Sequence, residues 1–562
     1  MAEHQTAIAE DGEYARARVP TRKLLGGSYF AAGYSGEHVA GGEFVVGAAF
    51  AAWGASPAAV LTGLVLGNLL AVLSWALVCS PIATRARLTL YFYLERLAGK
   101  RFILFYNLVN GIIFAVIAGG MITISASAIR GLTNTPQQVH WYPTSGLFVA
   151  IALLIGALTI VITVRGFRGL SQFAKLCAPW LLTIFLICGT ASLPYLLAMG
   201  KAQGLGFAEL FSHYVWTGKT PDGSPSFSVW HIAAFAWGLN LPLHLGMGDL
   251  STLRFAKRAS YGYFSAFAAY GGHFVAWVTA GMLGATTAAM LQTTIGALDI
   301  GGVVVPILGV AGTAAVMISS LTTAVPSLYR AGLAFQAMMP GVPVAKVTVA
   351  LGVVTTLAAC SPFIFLKWLD LMAYFNIAMA PVGAIITVEH FLLPKRGIAP
   401  FWREARADGA NRAAWIVWGA GVALAAVLIA SNALHLFFIF VPVWIVCFFL
   451  YLFLAPNEAA KSDKSAAELH DLAYGKAETE AELATLCPAV SRLSRGSKHP
   501  FFRGALLMLA LMVALSLLLY VPDNPADYGT LFKWGLALLS VGYFVFIMLW
   551  GKAMQDSHKE QP

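Results

Sequence analysis

Residues Gly33–Phe44 read "GYSGEHVAGGEF". Two glutamates, a histidine and four glycines interrupt what the apolar residues after them would otherwise continue as a membrane helix. An acid at the bilayer centre costs about 2.5–3.5 kcal/mol on insertion scales. Unwound backbone at that depth is tolerated only where it lines a cavity or binds something. Glu37 and Glu43 therefore need a cation, a proton, a donor-rich solute or His38 beside them; otherwise Glu37 lies in a solvated loop. A second stretch has the same character. From Trp237 it reads "WGLNLPLHLGMGDLSTLRFAK", with Pro242, His244 and Asp249 inside an apolar run. Asp249 meets a partner there or lies near the surface. Gly and Pro interruptions at matching places in two halves of a chain are the best sequence pointer to a transporter's binding site.

The rest of the chain supplies the membrane. Of 562 residues, 59% are hydrophobic and 11% charged, with a mean hydropathy of +0.74; soluble domains carry about 25% charged residues. Apolar runs long enough to span a bilayer recur from end to end, about fourteen of them. Their limits fall at roughly 26–53, 57–81, 102–130, 146–164, 170–198, 230–252, 261–284, 303–336, 344–360, 364–391, 413–430, 434–454, 502–521 and 531–551. The chain is an all-α polytopic membrane protein. Spans at 26–198 and 230–391 make two halves of about five each, so the second half is inverted relative to the first. Two further pairs follow, at 413–454 and 502–551, separated by a polar insert at 455–501 that is either a short helix or a linker. Residues 1–25 and 552–562 are tails.

Charge sets the orientation. Arg85, Arg87, Arg96, Lys100, Arg101, Arg165, Arg168, Arg254, Lys257, Arg258, Lys395, Arg396, Arg403, Arg406 and Arg412 fall in alternate loops, on the same side as both termini. By the positive-inside rule that side is cytoplasmic, and the protein sits in a cytoplasmic membrane. The net charge of +10 needs no nucleic acid to explain it. Cys79, Cys177, Cys188, Cys360, Cys447 and Cys487 are scattered, without disulfide or zinc spacing. A cleavable signal peptide is not expected.

Span 8 carries a third polar element, "MISSLTTAVPSLYRAGLAF" from Met317. Ser319, Thr322 and Thr323 share one helix face. Their hydroxyls suit a hard cation such as Na⁺; equally, they can bond their own backbone or a neighbouring helix.

In order along the chain, "WGASPAAVLTGLVLGNLLAVL", "LNLP" at Leu239–Pro242, "RFAK" at Arg254–Lys257, "TTAVPSLYRAGL" at Thr322–Leu333 and "WLDLMAYFNIAMAPVGAIITVEHFL" from Trp368 resemble the nucleobase–cation symporter-1 family, the cytosine, allantoin and hydantoin permeases. The resemblance covers about residues 26–396. It implies a LeuT-like five-plus-five inverted-repeat fold, here with four additional C-terminal helices where two are usual. It implies a Na⁺ site of Ser319, Thr322 and Thr323 with the backbone carbonyls of Glu37 and Ala40. The two broken stretches and the resemblance together give the expected solute site, among Glu37, His38, Glu43, Asn110, Phe235, Trp237, Asn240, His244, Asp249 and Ser327. Where the family places an aromatic in span 1 this chain has Gly41, which leaves Phe235 or Trp237 to face a planar solute.

The expected function is secondary active transport. A small polar or heterocyclic solute, such as a nucleobase, enters with Na⁺ or H⁺ by alternating access, spans 1, 2, 6 and 7 rocking against the rest. The partners are that solute and the lipid bilayer, without nucleic acid, organic cofactor or catalytic residues. Two other readings stay open. One is carriage of a cationic amine or guanidinium-like solute by Glu37, Glu43 and Asp249. The other is an intramembrane metal-dependent enzyme using Glu37, His38, Glu43, His244 and Asp249, which lack a HExxH-type spacing.

Overall fold

A computed structural model describes residues 13–133, 135–220, 223–362, 368–406, 410–459 and 499–559. Most of the expected insert, 460–498, lies outside the described residues. The first span is two helices, α1 (Gly27–His38) and α2 (Gly42–Ala52), because the chain leaves helical geometry at Val39, φ −104° and ψ 64°. Gly41 stands at this break, where a Cβ would overlap the Ser320 hydroxyl of span 8. The position that resemblance gives to an aromatic is thus a close helix crossing with no room for a side chain.

α3 starts at Pro57, with Ser56 capping the Ala59 N–H, and runs to Ser74. A π-helical turn at Trp75–Cys79 carries it on to Ala86. A short helix, α4 (Leu90–Ala98), precedes α5 (Lys100–Ala128). α6 (Gly146–Thr163) and α7 (Gly166–Gln203) follow. The sixth span is broken more deeply than the first. α8 (Val229–Gly238) gives way to irregular chain from Leu239 to Asp249, and only a turn, α9 (Leu250–Leu253), resumes. Gly383 makes room for this break: a Cβ there would overlap the Leu245 carbonyl.

The seventh span is π-helical over Phe267–Ala276 before α10 (Trp277–Met290). α11 (Ile300–Met338) has 39 residues, about 58 Å of helix, and bends at Gly309 (φ 61°, ψ −143°). α12 (Val344–Ala359) and α13 (Trp368–Phe391) close the second half. Beyond them come α14 (Arg412–Ala430), α15 (Phe440–Ala459), α16 (Pro500–Ser516) and α17 (Gly529–Lys559).

Among the described residues, nine helices are long and apolar enough to cross a membrane. The cores of α5, α7 and α11 are 67% buried, those of α14, α15 and α17 only 28% and that of α16 22%, so the C-terminal helices form the rim. α14 and α15 pack on α13, and the α16–α17 pair packs on α7 and α11.

The basic loops gather at one end and are tied by ion pairs: Arg96–Glu404 at 2.9 Å, Arg406–Glu458 at 3.1 Å and Arg16–Glu95 at 2.5 Å. The segment 13–25, expected as part of a tail, is bound across this end. The Arg254 guanidinium donates to the Tyr14 carbonyl, the Tyr329 hydroxyl to the Glu13 carboxylate, and the Leu25 N–H to the Phe255 carbonyl.

Candidate functional site

The breaks in spans 1 and 6 face one another across a cavity. Span 1 brings Glu37, His38, Ala40 and Glu43 to its wall, span 6 Leu239, Asn240 and Leu243, and span 7 His273. α5 adds Phe114, Ile117 and Met121, and α11 adds Thr323 and Ser327. A second, smaller cavity lies on the other side of Glu37, lined by Tyr34, Asp249, Thr252 and Arg330 among others.

The two cavities meet at a charge triad. Arg330 of α11, 1% exposed, donates to both Glu37 carboxylate oxygens, at 2.5 and 3.1 Å, and to Asp249 at 2.6 Å. Asp249 also accepts from the Trp75 indole at 2.7 Å, the Thr252 hydroxyl at 3.1 Å and the Tyr34 hydroxyl at 3.2 Å. Trp75 reaches it from the π-helical turn of α3. Bidentate pairing of a planar guanidinium fixes geometry as well as charge. Three elements, α1, α11 and the span 6 break, are therefore held at one point. Sequence reading missed Arg330, Trp75 and Tyr34 as site residues. The available signal was an arginine inside an apolar helix, where ionisable groups are functional by default.

The span 8 hydroxyls come against span 1. Thr323 donates to the Glu37 carbonyl at 2.7 Å. Thr322 donates to the Ser319 carbonyl at 2.8 Å and Ser319 to the Val316 carbonyl at 3.1 Å. Each hydroxyl oxygen keeps lone pairs for a cation.

Glu43 is buried, and one carboxylate oxygen accepts from the Trp277 indole. His273 lies flat on Trp277, centroids 4.3 Å apart and planes 6° from parallel, with Nε2 3.0 Å from the Asn240 amide nitrogen. Neither His273 nor Trp277 was singled out from sequence; the π-helical segment that turns His273 inward has no compositional mark.

Five expected solute residues do not line the central cavity. Asn110 is held by Tyr91 at 2.9 Å and by the Met379 sulfur at 3.2 Å. Phe235 packs among Phe50, Trp53, Trp277 and Phe437. Trp237 donates to the Ser74 hydroxyl at 3.1 Å and packs on Phe440. His244 turns to the Trp237 carbonyl at 3.1 Å and the Trp75 ring. Asp249 is occupied by the triad and opens only to the smaller cavity. The grouping of Glu37, His38, Glu43, His244 and Asp249 imagined around a metal does not form: no cluster of three or more such ligands exists among the described residues.

No family model and no curated protein matches this chain. Solved structures match its fold. A structure of Mhp1, a nucleobase-cation-symport-1 family transporter, in a closed conformation with bromovinylhydantoin bound, aligns with TM-score 0.58 and 14% identity over 82% of this chain and 99% of that one. A Na⁺-coupled sialic acid symporter, in a substrate-bound outward-open state, aligns with TM-score 0.54 and 15% identity over 81% of this chain and 96% of that one. At such identity the likeness is one of fold, and that fold is the LeuT-like one the sequence implied. The chain is a multi-pass membrane protein.

Proposed function

We propose that this protein is a secondary active transporter, a cation-coupled symporter that takes a small polar solute into the central cavity and releases it toward the basic face. The observation that carries the proposal is the pair of helix breaks facing one cavity, with the Glu37–Arg330–Asp249 triad between that cavity and the basic end. Broken helices at membrane depth need something to bind. In the state described, the triad is the inner lock, and parting it opens the path inward.

The coupling cation is Na⁺ or H⁺. For Na⁺ the ligands are the Glu37 and Ala40 carbonyls with Ser319, Thr322 and Thr323, a reading supported by the Thr323 contact with Glu37. The charge balance agrees. Two carboxylates and one guanidinium leave one negative charge, which a monovalent cation beside Glu37 neutralises. The basic face and both termini are cytoplasmic by the positive-inside rule, in a cytoplasmic membrane. One charge moving down 100 mV supplies about 2.3 kcal/mol, roughly fiftyfold in concentration.

The test is accumulation by the full chain in liposomes carrying an imposed Na⁺ or proton gradient, offered a panel of nucleobases, hydantoins and small amines. Gradient-dependent accumulation of any member that collapses with an ionophore is the expected result. Equilibration without accumulation for every member, in protein that binds one of them, would overturn the symport reading.

A further inference from the structure

We propose that the solute is an organic cation bearing N–H donors, of the amidinium or ammonium class, and that Glu43 is the residue that reads its charge. This rests on the transport reading above and names the solute class for the same cavity.

The cavity wall has few polar groups left to offer a solute. The Thr323 hydroxyl gives its proton to the Glu37 carbonyl and the Ser327 hydroxyl to the Thr323 carbonyl, at 2.9 Å, so neither offers a donor to a solute. Both Glu37 carboxylate oxygens accept from Arg330, which already balances the Glu37 charge. The Asn240 amide nitrogen donates to His273 Nε2, which leaves the His273 proton on Nδ1. His38 donates from Nδ1 to the Tyr34 carbonyl at 3.1 Å, so its Nε2 is a lone pair. That nitrogen has no partner, on a side chain 3% exposed.

Glu43 completes the wall. It is 6% exposed, its carboxylate takes one indole N–H, and no cation among the described residues pairs with it. A carboxylate can accept about four hydrogen bonds. The unspent groups are thus mainly acceptors, Glu43, His38 Nε2 and the Asn240 carbonyl oxygen, against one N–H each of His273 and Asn240. An uncharged nucleobase presents donors and acceptors alternately and would set lone pairs against these acceptors. A cation with N–H donors matches them, and it supplies the countercharge that a buried carboxylate otherwise lacks. Phe114, Ile117, Met121 and Leu243 give the remaining wall to a flat apolar body.

Glu37 and Asp249 do not share this task, because both are committed to Arg330. The cationic-solute reading of the sequence is thereby reduced from three acids to one.

Benzamidine and benzamide share a planar body and differ in charge, which makes them the probes. Binding to the purified full chain is measured by calorimetry, with Na⁺ present. The wild type is expected to bind benzamidine at least about tenfold more tightly than benzamide, and Glu43→Gln to weaken benzamidine roughly 10- to 150-fold, the loss of one charge-assisted hydrogen bond, with benzamide unchanged. Should Glu43→Gln not fold, the wild-type preference decides alone, with Glu43→Asp expected to retain it. A wild type that binds the two equally, or a folded Glu43→Gln that keeps the preference, overturns the proposal. If uncharged heterocycles are preferred and still accumulate under an ion gradient, the inference about Glu43 falls and transport stands. If Glu43-dependent charge selectivity holds but nothing accumulates under any gradient, transport falls and Glu43 stands.

Discussion

Arg330 is the residue that joins the two buried carboxylates, Glu37 and Asp249. Its two carboxylate partners come from different elements, and one of them, Glu37, is 293 positions away in sequence. Removing the guanidinium leaves two buried charges without a cation, so Arg330→Ala should destabilise the protein by about 3–5 kcal/mol, read as a fall in melting temperature in detergent. Arg330→Lys keeps the charge but loses the fork and should fall between. Glu37→Gln with Arg330→Met should be less damaging than the sum of the two single changes, by at least roughly 1 kcal/mol in a double-mutant cycle; strict additivity would mean that the pair does not act as a unit. The sequence shows half of this arrangement. An acid within an apolar run announces that it needs a partner, which is how Glu37 and Asp249 were found. Nothing local tells which residue answers, because pairing is a property of the folded chain. Arg330 was passed over as part of a family-like motif.

The elements were more legible than their details. Gly, Pro and acids in spans 1 and 6 mark both breaks, and the structure has them at Val39–Gly41 and Leu239–Asp249. The π-helical segments at Trp75–Cys79 and Phe267–Ala276 could not be seen, since one extra residue per turn leaves hydrophobicity unchanged. They decide that Trp75 and His273 reach the site, while Phe235 and Trp237, chosen for their aromatic rings, pack elsewhere. At the crossing of α11 with the span 1 break, Gly41→Ala should cost about 1–3 kcal/mol by overpacking and weaken solute binding. Adding Ser320→Ala should recover part of both, because the Ser320 hydroxyl is what the new methyl meets; absence of recovery would show that another contact limits this crossing. On the Thr322–Thr323 turn, Thr322→Ala and Thr323→Ala should each sharply reduce Na⁺ stimulation of binding in protein that still folds. Unaltered Na⁺ dependence in both variants removes these two hydroxyls as ligands.

At the level of the whole molecule, polar ties collect at the basic end and the C-terminal helices lie at the rim. The α16–α17 pair is held through Thr190 to Ser516 at 3.0 Å and through the Tyr543 hydroxyl to the Leu176 carbonyl at 2.9 Å. Sequence composition revealed the surplus helices but not which core helices hold them, since their apolar faces are alike. The segment 13–25 was equally opaque: a mixed-charge tail looks the same in sequence whether it docks or not. Docked, it covers Arg254 and Tyr329. Deleting residues 1–24 should therefore expose the smaller cavity, and a Thr252→Cys side chain should react faster with a membrane-impermeant thiol reagent from the basic face in the truncated protein than in the full chain. Equal rates would assign closure to the triad alone.

Glu37 is clasped at both ends, its carbonyl by one turn of α11 through Thr323 and its carboxylate by a later one through Arg330. Main chain and side chain of one residue cannot part company. On the proposed reading, a swing of α1 that frees Arg330 also draws a ligand from the cation, and a cation that leaves early loosens the residue that keeps the gate shut. Slippage in either sense, a leak of ions through a closed carrier or an empty return with the ion retained, would require α1 to come apart within a single residue. Tight stoichiometry is then enforced by covalent bonds rather than by the relative rates of competing steps.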